Sequence, residues 1–333
     1  MQTAKIKGIS YYLPETFLDN NKLNKDFPEW SVDKISSKTG IFKRHLAHQN
    51  EFTSDMAVKA SLKLFKEYNV NPNEIDFILL CTQSPDYFLP TTACMVQNRL
   101  GISTSAGALD FNLGCSGYIY GLSIAKGLIA GNIAKNILLI TSETYSKFIH
   151  NRDKSNKTIF GDAAAATLIS IDGFAEILDF ELGTDGSGFE NLIVKNGATK
   201  NPNLNGVDIM DEFGNIRNDN NLFMDGPAIF NFTSNSVPPL INKILKKHNM
   251  RNDDINMFIF HQANKFLLNH LRKKIGIPEE KFYIYLEECG NTVSSTIPIA
   301  LKESLHTQHI TGNILLAGFG VGHSWGSCII KIS

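Results

Sequence analysis

Residues 64–83, "LFKEYNVNPNEIDFILLCTQ", and residues 244–263, "ILKKHNMRNDDINMFIFHQA", carry one pattern twice. Each reads as an amphipathic helix, a polar turn and an apolar strand in the same register. Ile75 aligns with Ile255, and Cys81 with His261. The echo continues down the chain. "NILLITSE" from Asn136 is answered by "NILLAGFG" from Asn313, and "GDAAAATLISI" from Gly161 by "GHSWGSCIIKI" from Gly322. One such match is within the reach of chance. Three in the same order indicate duplication of a whole half, with a period far too long for a solenoid.

Within each half, apolar runs alternate with helical patterns. The runs at 77–81, 137–141, 257–260 and 314–317 are continuously apolar, as strands covered on both faces are. Helices are expected after Pro90, after Cys115 and after Asn264, where they would cover those strands. The pattern predicts an α/β fold of two pseudo-symmetric halves, 1–172 and 173–333, with the boundary at Asp172-Gly173. Residues 196–221, rich in Asn, Asp and Gly, are expected to form a long surface excursion of the second half. Strand ends of both halves then meet at one central crevice, and ligands bind at the carboxyl ends of strands in such sheets.

Composition narrows the classes. The chain has 333 residues, 43% hydrophobic and 20% charged, enough for a large core. A net charge of -1 gives no global attraction to nucleic acid or an anionic membrane. No apolar run approaches a membrane span, and the opening residues lack the apolar stretch of a secretory signal. The five cysteines form no Cys-x-x-Cys pair, so free thiols in a reducing cytoplasm are expected rather than a zinc ribbon or a thioredoxin site. There is no His-Glu-x-x-His helix, and no metal is expected. The glycine-rich "GFGVGHSWG" places Trp325 where a dinucleotide fingerprint needs glycine.

Three polar residues stand at the expected strand ends. Cys115 follows the apolar "ALDFNLG" and leads a helical pattern that Gly131-Asn132 stops. The start of a helix favours thiolate, and Gly114 and Gly117 allow a sharp turn and close approach of a substrate. A buried structural thiol is the other reading. His261 ends the strand "MFIFH" and takes the position Cys81 has in the first half; a satisfied core histidine is its alternative. Asn291, in "CGNTVSSTIP", precedes a helix with Pro298 in its first turns, and an N-cap or turn explains it as well.

"GCSG" with Cys115, "HQAN" with His261 and "GNT" with Asn291 occur in that order. With them stand "KTGIFKRH", "DYFLPTTA", "IFGDAAAA" and "GVGHSWGS". The set resembles the Cys-His-Asn condensing enzymes of the thiolase fold, and among them the 3-oxoacyl-(acyl carrier protein) synthase III family, over nearly the whole chain. The resemblance implies a thiolase-like duplicated αβαβα layered fold and a homodimer. It implies an acyltransferase of fatty acid synthesis with no permanently bound cofactor and acyl-CoA as a substrate. Cys115 would attack the acyl-CoA thioester and become acylated. His261 and Asn291 would then donate to the thioester carbonyl of malonyl-acyl carrier protein as it loses CO₂. The backbone N–H groups of Cys115 and Gly322 would hold the oxyanion.

The resemblance assigns further contacts and shows departures. Trp30 and Lys154 would bind CoA, although Lys154 stands where an arginine is usual. Leu89 would reach across the dimer into the acyl pocket; a phenylalanine there is usual in acetyl-specific members, so leucine suggests a longer starter. Lys265, Arg272, Lys273 and Lys274 would dock the carrier protein, with Lys265-Phe266 displacing the usual arginine charge by one position. His323 is read as a variable loop residue and Asp162 as a turn-holding one. Two other functions stay open: a specialised acyltransferase with another starter or acceptor, and a non-catalytic partner subunit, which typically lacks the nucleophile.

Overall fold

The protein, seen in a computed structural model, is described over residues 2–332; Met1 and Ser333, the outer ends of the two expected halves, lie outside the described residues. The first half runs β1 (Lys5–Tyr12), α1 (Thr53–Tyr68), β2 (Phe77–Cys81), α2 (Thr92–Arg99), β3 (Gly107–Phe111), α3 (Gly117–Ala130), β4 (Asn136–Glu143) and β5 (Ala163–Ser170). The second runs β6 (Ala175–Thr184), α4 (Gly226–Lys247), β7 (Met257–Phe260), α5 (Lys265–Ile275), α6 (Thr296–Gln308), β8 (Gly312–Gly320) and β9 (Ser324–Ile332). The strand order is β7-β8-β9-β6-β1-β5-β4-β2-β3. Read outward from the β1–β6 junction, the two halves match strand for strand. Where the second half lacks a partner for β3, Phe282 makes a single parallel bridge to Phe258.

The repeat seen in the sequence therefore specifies real equivalents: β2 with β7, β4 with β8, β5 with β9. The helices divide into layers by their apolar faces. The central helices α3 and α6 touch strands of both halves. Ile119 and Leu122 of α3 share one core with Ile297 and Leu301 of α6, between Leu139 on one side and Leu316 on the other. Helices α1 and α2 cover the outer face of the first half, α4 and α5 that of the second. This is the five-layer αβαβα arrangement. The expected boundary, Asp172-Gly173, falls in the turn between β5 and β6; a Cβ on Gly173 would come within 2.4 Å of the Ile6 carbonyl.

The excursion at 196–221 contains a short hairpin, Ile209–Met210 against Ile216–Arg217. It lies over the loop at 150–153: Ile216 N–H donates to the Arg152 carbonyl (3.1 Å), and Arg217 pairs with Asp153 (3.4 Å). Among the described residues, no helix is long and apolar enough to cross a membrane.

Candidate active site

Cys115 sits one residue before Ser116, the N-cap of α3, and only 5% of its surface is exposed. The end of β8 closes over it. A Cβ on Gly320 would lie 2.8 Å from the Cys115 sulfur, so glycine is required there. The helix start does not make this thiol a resting thiolate. Burial, helped by the negative field of Glu143, pushes it up to about 12. The N–H groups of Cys115 itself and of Val321 reach the sulfur and pull the other way. The second backbone donor beside the sulfur is therefore Val321, not Gly322. Gly322, with φ +128, supplies the turn that only glycine makes easily.

His261 follows β7 and is 2% exposed. Its Nδ1 lies 2.8 Å from Thr296 Oγ1, and the Thr296 hydroxyl donates to the Val293 carbonyl (3.0 Å). With that hydroxyl proton committed, the Thr296 oxygen accepts from Nδ1–H, and Nε2 carries the lone pair. Burial lowers the imidazole pKa to about 3, so the ring is neutral at rest. The Phe319 ring meets it edge to face at 5.8 Å.

Asn291 is held at both backbone groups. Its N–H donates to the Ile159 carbonyl (3.0 Å), and its carbonyl accepts from Gly161 N–H (3.0 Å). Its Oδ1 accepts from Val293 N–H (2.9 Å), which leaves Nδ2 as the donor without a protein partner among the described residues. Val293 was not visible as a site residue in the sequence. Its two backbone groups serve Asn291 and the His261–Thr296 pair together, and it does so at φ +56, a costly conformation for a β-branched residue. Hence Cys115, His261 and Asn291 arrive from three segments at one largely apolar cavity of about 380 Å³, with Phe160, Met224 and Phe230 among its walls.

Beneath the site lies Glu143, fully buried at the end of β4. It accepts from Gln83 N–H (3.1 Å), Ser84 Oγ (3.1 Å) and Ser294 Oγ (3.2 Å), tying the loop after β2 to the turn after Asn291. Burial raises this carboxyl to about 8. Asp162 holds a second junction, accepting from Ala47 N–H (2.8 Å) and Ser146 N–H (2.9 Å).

The other expected contacts are dispersed. Trp30 is half-buried, with the Lys34 and Lys38 ammonium groups each 5.3 Å from its ring. Lys154 is buried and paired with Glu29 (2.8 Å), so its charge is already matched beside Trp30. Leu89 is 83% exposed on a loop with Phe88 and does not line the cavity of this chain. That loop borders an open groove of about 1150 Å³, walled by Phe88, Tyr145, Phe148 and Val321. The expected basic patch is uneven. Arg272 is turned inward to Glu279 (3.0 Å) and the Ile277 carbonyl, so it is no docking charge. Lys265 pairs with Glu287 (3.7 Å), Lys274 donates to Ser234 (2.9 Å), and Lys273 is exposed. His323 lies in the turn between β8 and β9, as expected of a loop residue, and its ring stacks on Phe232 at 4.0 Å and contacts Asn191 (3.2 Å). Among the described residues no cluster of His, Cys, Asp and Glu could hold a metal ion.

Comparison with known proteins agrees with this geometry. The family described as 3-Oxoacyl-[acyl-carrier-protein (ACP)] synthase III matches residues 109–186, and its C-terminal counterpart matches residues 245–332. The beta-ketoacyl-[acyl-carrier-protein] synthase III of Clostridium perfringens is 36% identical over 335 residues, with 100% of both chains covered. A crystal structure of a 3-oxoacyl-(acyl-carrier-protein) synthase III superposes with a TM-score of 0.97 at 46% identity, covering 99% of this chain and 100% of that one. The 3-oxoacyl-(acyl-carrier protein) synthase of Burkholderia xenovorans LB400 superposes with a TM-score of 0.91 at 35% identity, covering 100% of this chain and 95% of that one.

Proposed function

Since the chain belongs to the 3-oxoacyl-(acyl carrier protein) synthase III family, we propose that it joins an acyl-CoA starter to malonyl-acyl carrier protein by way of an acyl group on Cys115. The observation that carries this reading is the convergence of Cys115, His261 and Asn291 on one apolar cavity. In the first half-reaction the Cys115 proton passes to His261 Nε2 as the sulfur attacks the thioester carbon. The N–H groups of Cys115 and Val321 take the oxyanion. CoA leaves as its thiolate and receives that proton, so the site returns to neutral.

In the second half-reaction the C–C bond to the malonyl carboxylate breaks and CO₂ departs. Its electron pair becomes an enolate on the thioester carbonyl, which the Asn291 amide stabilises without opposing charge. The carbanion attacks the acyl carbon, the bond to Cys115 breaks, and the thiolate takes one proton from water. His261 stays neutral in this step and donates to the enolate as its Nε2–H tautomer, with the Thr296 hydroxyl turned to donate to Nδ1. The apolar walls exclude water and make each donor count for more. No permanently bound cofactor enters these steps.

Trp30, with Lys34 and Lys38 over its ring, is the surface we assign to CoA, and Lys154 acts there through Glu29. Lys273 and the outer faces of Lys265 and Lys274 are what is left to meet an acidic carrier protein. The exposure of Leu89 and Phe88 beside an open groove supports a homodimer in which that loop enters the partner's acyl pocket. The decisive test is intact-protein mass spectrometry after mixing with acyl-CoAs of graded length, followed by malonyl-carrier protein. The expected result is one acyl mass on Cys115 that is discharged with release of CO₂. An unmodified protein would refute the reading, and a single acetyl mass would refute the longer starter.

A further inference from the structure

Arg44 lies in the "KTGIFKRH" run, on the short strand Lys43–His45, and is fully buried. Among the described residues it has no carboxylate in ion-pair contact; every partner is a neutral dipole. Nε donates to the Thr158 carbonyl (2.9 Å), as does Nη2, which also reaches the Ile41 carbonyl (3.4 Å). Nη1 donates to Asn20 Oδ1. Asn20 is itself fixed by donating to the Ile41 carbonyl (2.9 Å). Burial lowers the guanidinium to about 9, which still leaves it charged at neutral pH. A cation stripped of water, hydrogen-bonded only to neutral dipoles and offset only by the more distant Asp19 carboxylate, is a costly arrangement, and nothing in the proton transfers above uses it.

Its contacts lead to the site. Thr158 is the C-cap of the one-turn helix Lys154–Lys157, where a cation suits the exposed carbonyls. The next carbonyl, of Ile159, accepts the Asn291 N–H, and Gly161 N–H returns a bond to the Asn291 carbonyl. On the other side, the Arg44 stem lies under Gly290. A Cβ there would come within 3.0 Å of Arg44 Cγ and 2.9 Å of the Ile159 carbonyl. The side chain thus fills the space below both backbone segments of the Phe160–Asn291 bridge, its stem against one and its head on the other. Ile159, Phe160 and Asn291 all line the cavity.

We propose that Arg44 is a positioning residue for Asn291, setting the backbone from which the Asn291 amide reaches the enolate. It therefore governs decarboxylation and spares acyl transfer to Cys115, in which Asn291 takes no part. The inference rests on the reading of Asn291 given above. A misplacement of about 1 Å at a reacting group costs roughly a hundredfold, which sets the scale of the effect.

The test separates the half-reactions in the full-length protein, for Arg44→Met, Arg44→Lys, Asn291→Ala and the Arg44→Met/Asn291→Ala pair. Acylation is followed by intact mass with the N-acetylcysteamine thioester of whichever acyl group the graded series places on Cys115; this donor lacks the nucleotide and so is blind to shifts near Lys154. Decarboxylation is followed as CO₂ released from malonyl-carrier protein. Arg44→Met is expected to slow CO₂ release by about a hundredfold and acylation by less than about threefold, with Arg44→Lys between it and wild type. In the Asn291→Ala background, Arg44→Met should add almost nothing, because both changes remove one function. Equal losses in both half-reactions, or fully additive losses in the pair, would overturn the inference. If Arg44→Met does not fold, Asn20→Ala, which removes the Nη1 partner, carries the same expectation and the same refutation. Wild-type protein that fails to acylate or to release CO₂ would instead refute the functional reading itself.

Discussion

Equivalent positions of the two halves meet at the crevice and are put to opposite uses. Cys81, at the end of β2, is the counterpart of His261, at the end of β7. Cys81 points into the core and donates to the Leu113 carbonyl (3.0 Å), and a Cβ on Gly117 would lie 2.2 Å from its sulfur. His261 points into the cavity. Glu143, ending β4, is the counterpart of Gly320, ending β8: one is a buried carboxyl that ties loops together, the other a gap that lets Cys115 approach. Asp162 is the counterpart of His323. The duplication explains where side chains are delivered. Steric room and burial at each position decide what chemistry they perform.

The sharpest way to break that contrast is to exchange its two cysteines for alanine. Cys115→Ala is expected to abolish the acyl-enzyme mass entirely. Cys81→Ala should leave the acylation rate within about twofold and cost only about 1 kcal/mol of stability, as a small core truncation does. Acylation that survives Cys115→Ala would assign the nucleophile elsewhere.

Asn291→Ala comes next. Loss of one donor to a developing oxyanion should slow CO₂ release by about 10²–10³, with Cys115 acylation near the wild-type rate. Proportional loss of both steps, measured by the same mass and CO₂ assays, would remove the division of labour between the halves.

The Asp162/His323 pair predicts a smaller effect. His323 and Asp185 exchange backbone bonds in both directions (2.9 Å each), two residues beyond the Val321 N–H. Losing the ring stack on Phe232 in His323→Ala removes about 0.5–1.5 kcal/mol of fixation, or roughly two- to tenfold in both half-reactions. His323→Phe, which keeps the stack, should restore most of it. A phenylalanine variant as slow as the alanine one would show that the imidazole, not the stack, matters.

A separate effect falls on stability rather than on rate. Glu143 titrates near 4.5 when unfolded and about 8 when folded, so the native state holds the proton across that window. The Glu143 contribution to stability should therefore fall as pH rises from about 4.5 to 8, against that of His261, which rises up to about 6.5. Glu143→Gln should remove that fall from the profile of melting temperature against pH, and an unchanged profile would place the titration on another group.

Much of this was legible in the chain. The repeat specified the two matching α/β halves because core strands and their covering helices impose periods that survive divergence, as in Ile75 and Ile255; the five layers came from the family resemblance. Cys115, His261 and Asn291 were legible as the ends of those periods. What the chain hid depends on backbone direction or on distant partners. That the Val321 N–H lies beside the Cys115 sulfur is hidden because an N–H points where its peptide plane turns, whatever the side chain. Val293 was hidden for the same reason. Glu29 matches Lys154 across 125 positions, and no local pattern announces such a pair. The helix-start argument for a resting thiolate failed because desolvation outweighs a partial dipole when the sulfur is almost wholly enclosed.

That enclosure has a further consequence. Oxidants and alkylating agents consume thiolates, and a thiol pushed up to about 12 offers them almost none at neutral pH. On the proposed mechanism Cys115 is the residue on which the reaction depends, and its burial keeps it protonated between turnovers. Its nucleophilicity is released only when a thioester occupies the cavity and the proton has His261 to go to. Selectivity against peroxide is thus built into the depth of the site, with no separate guard.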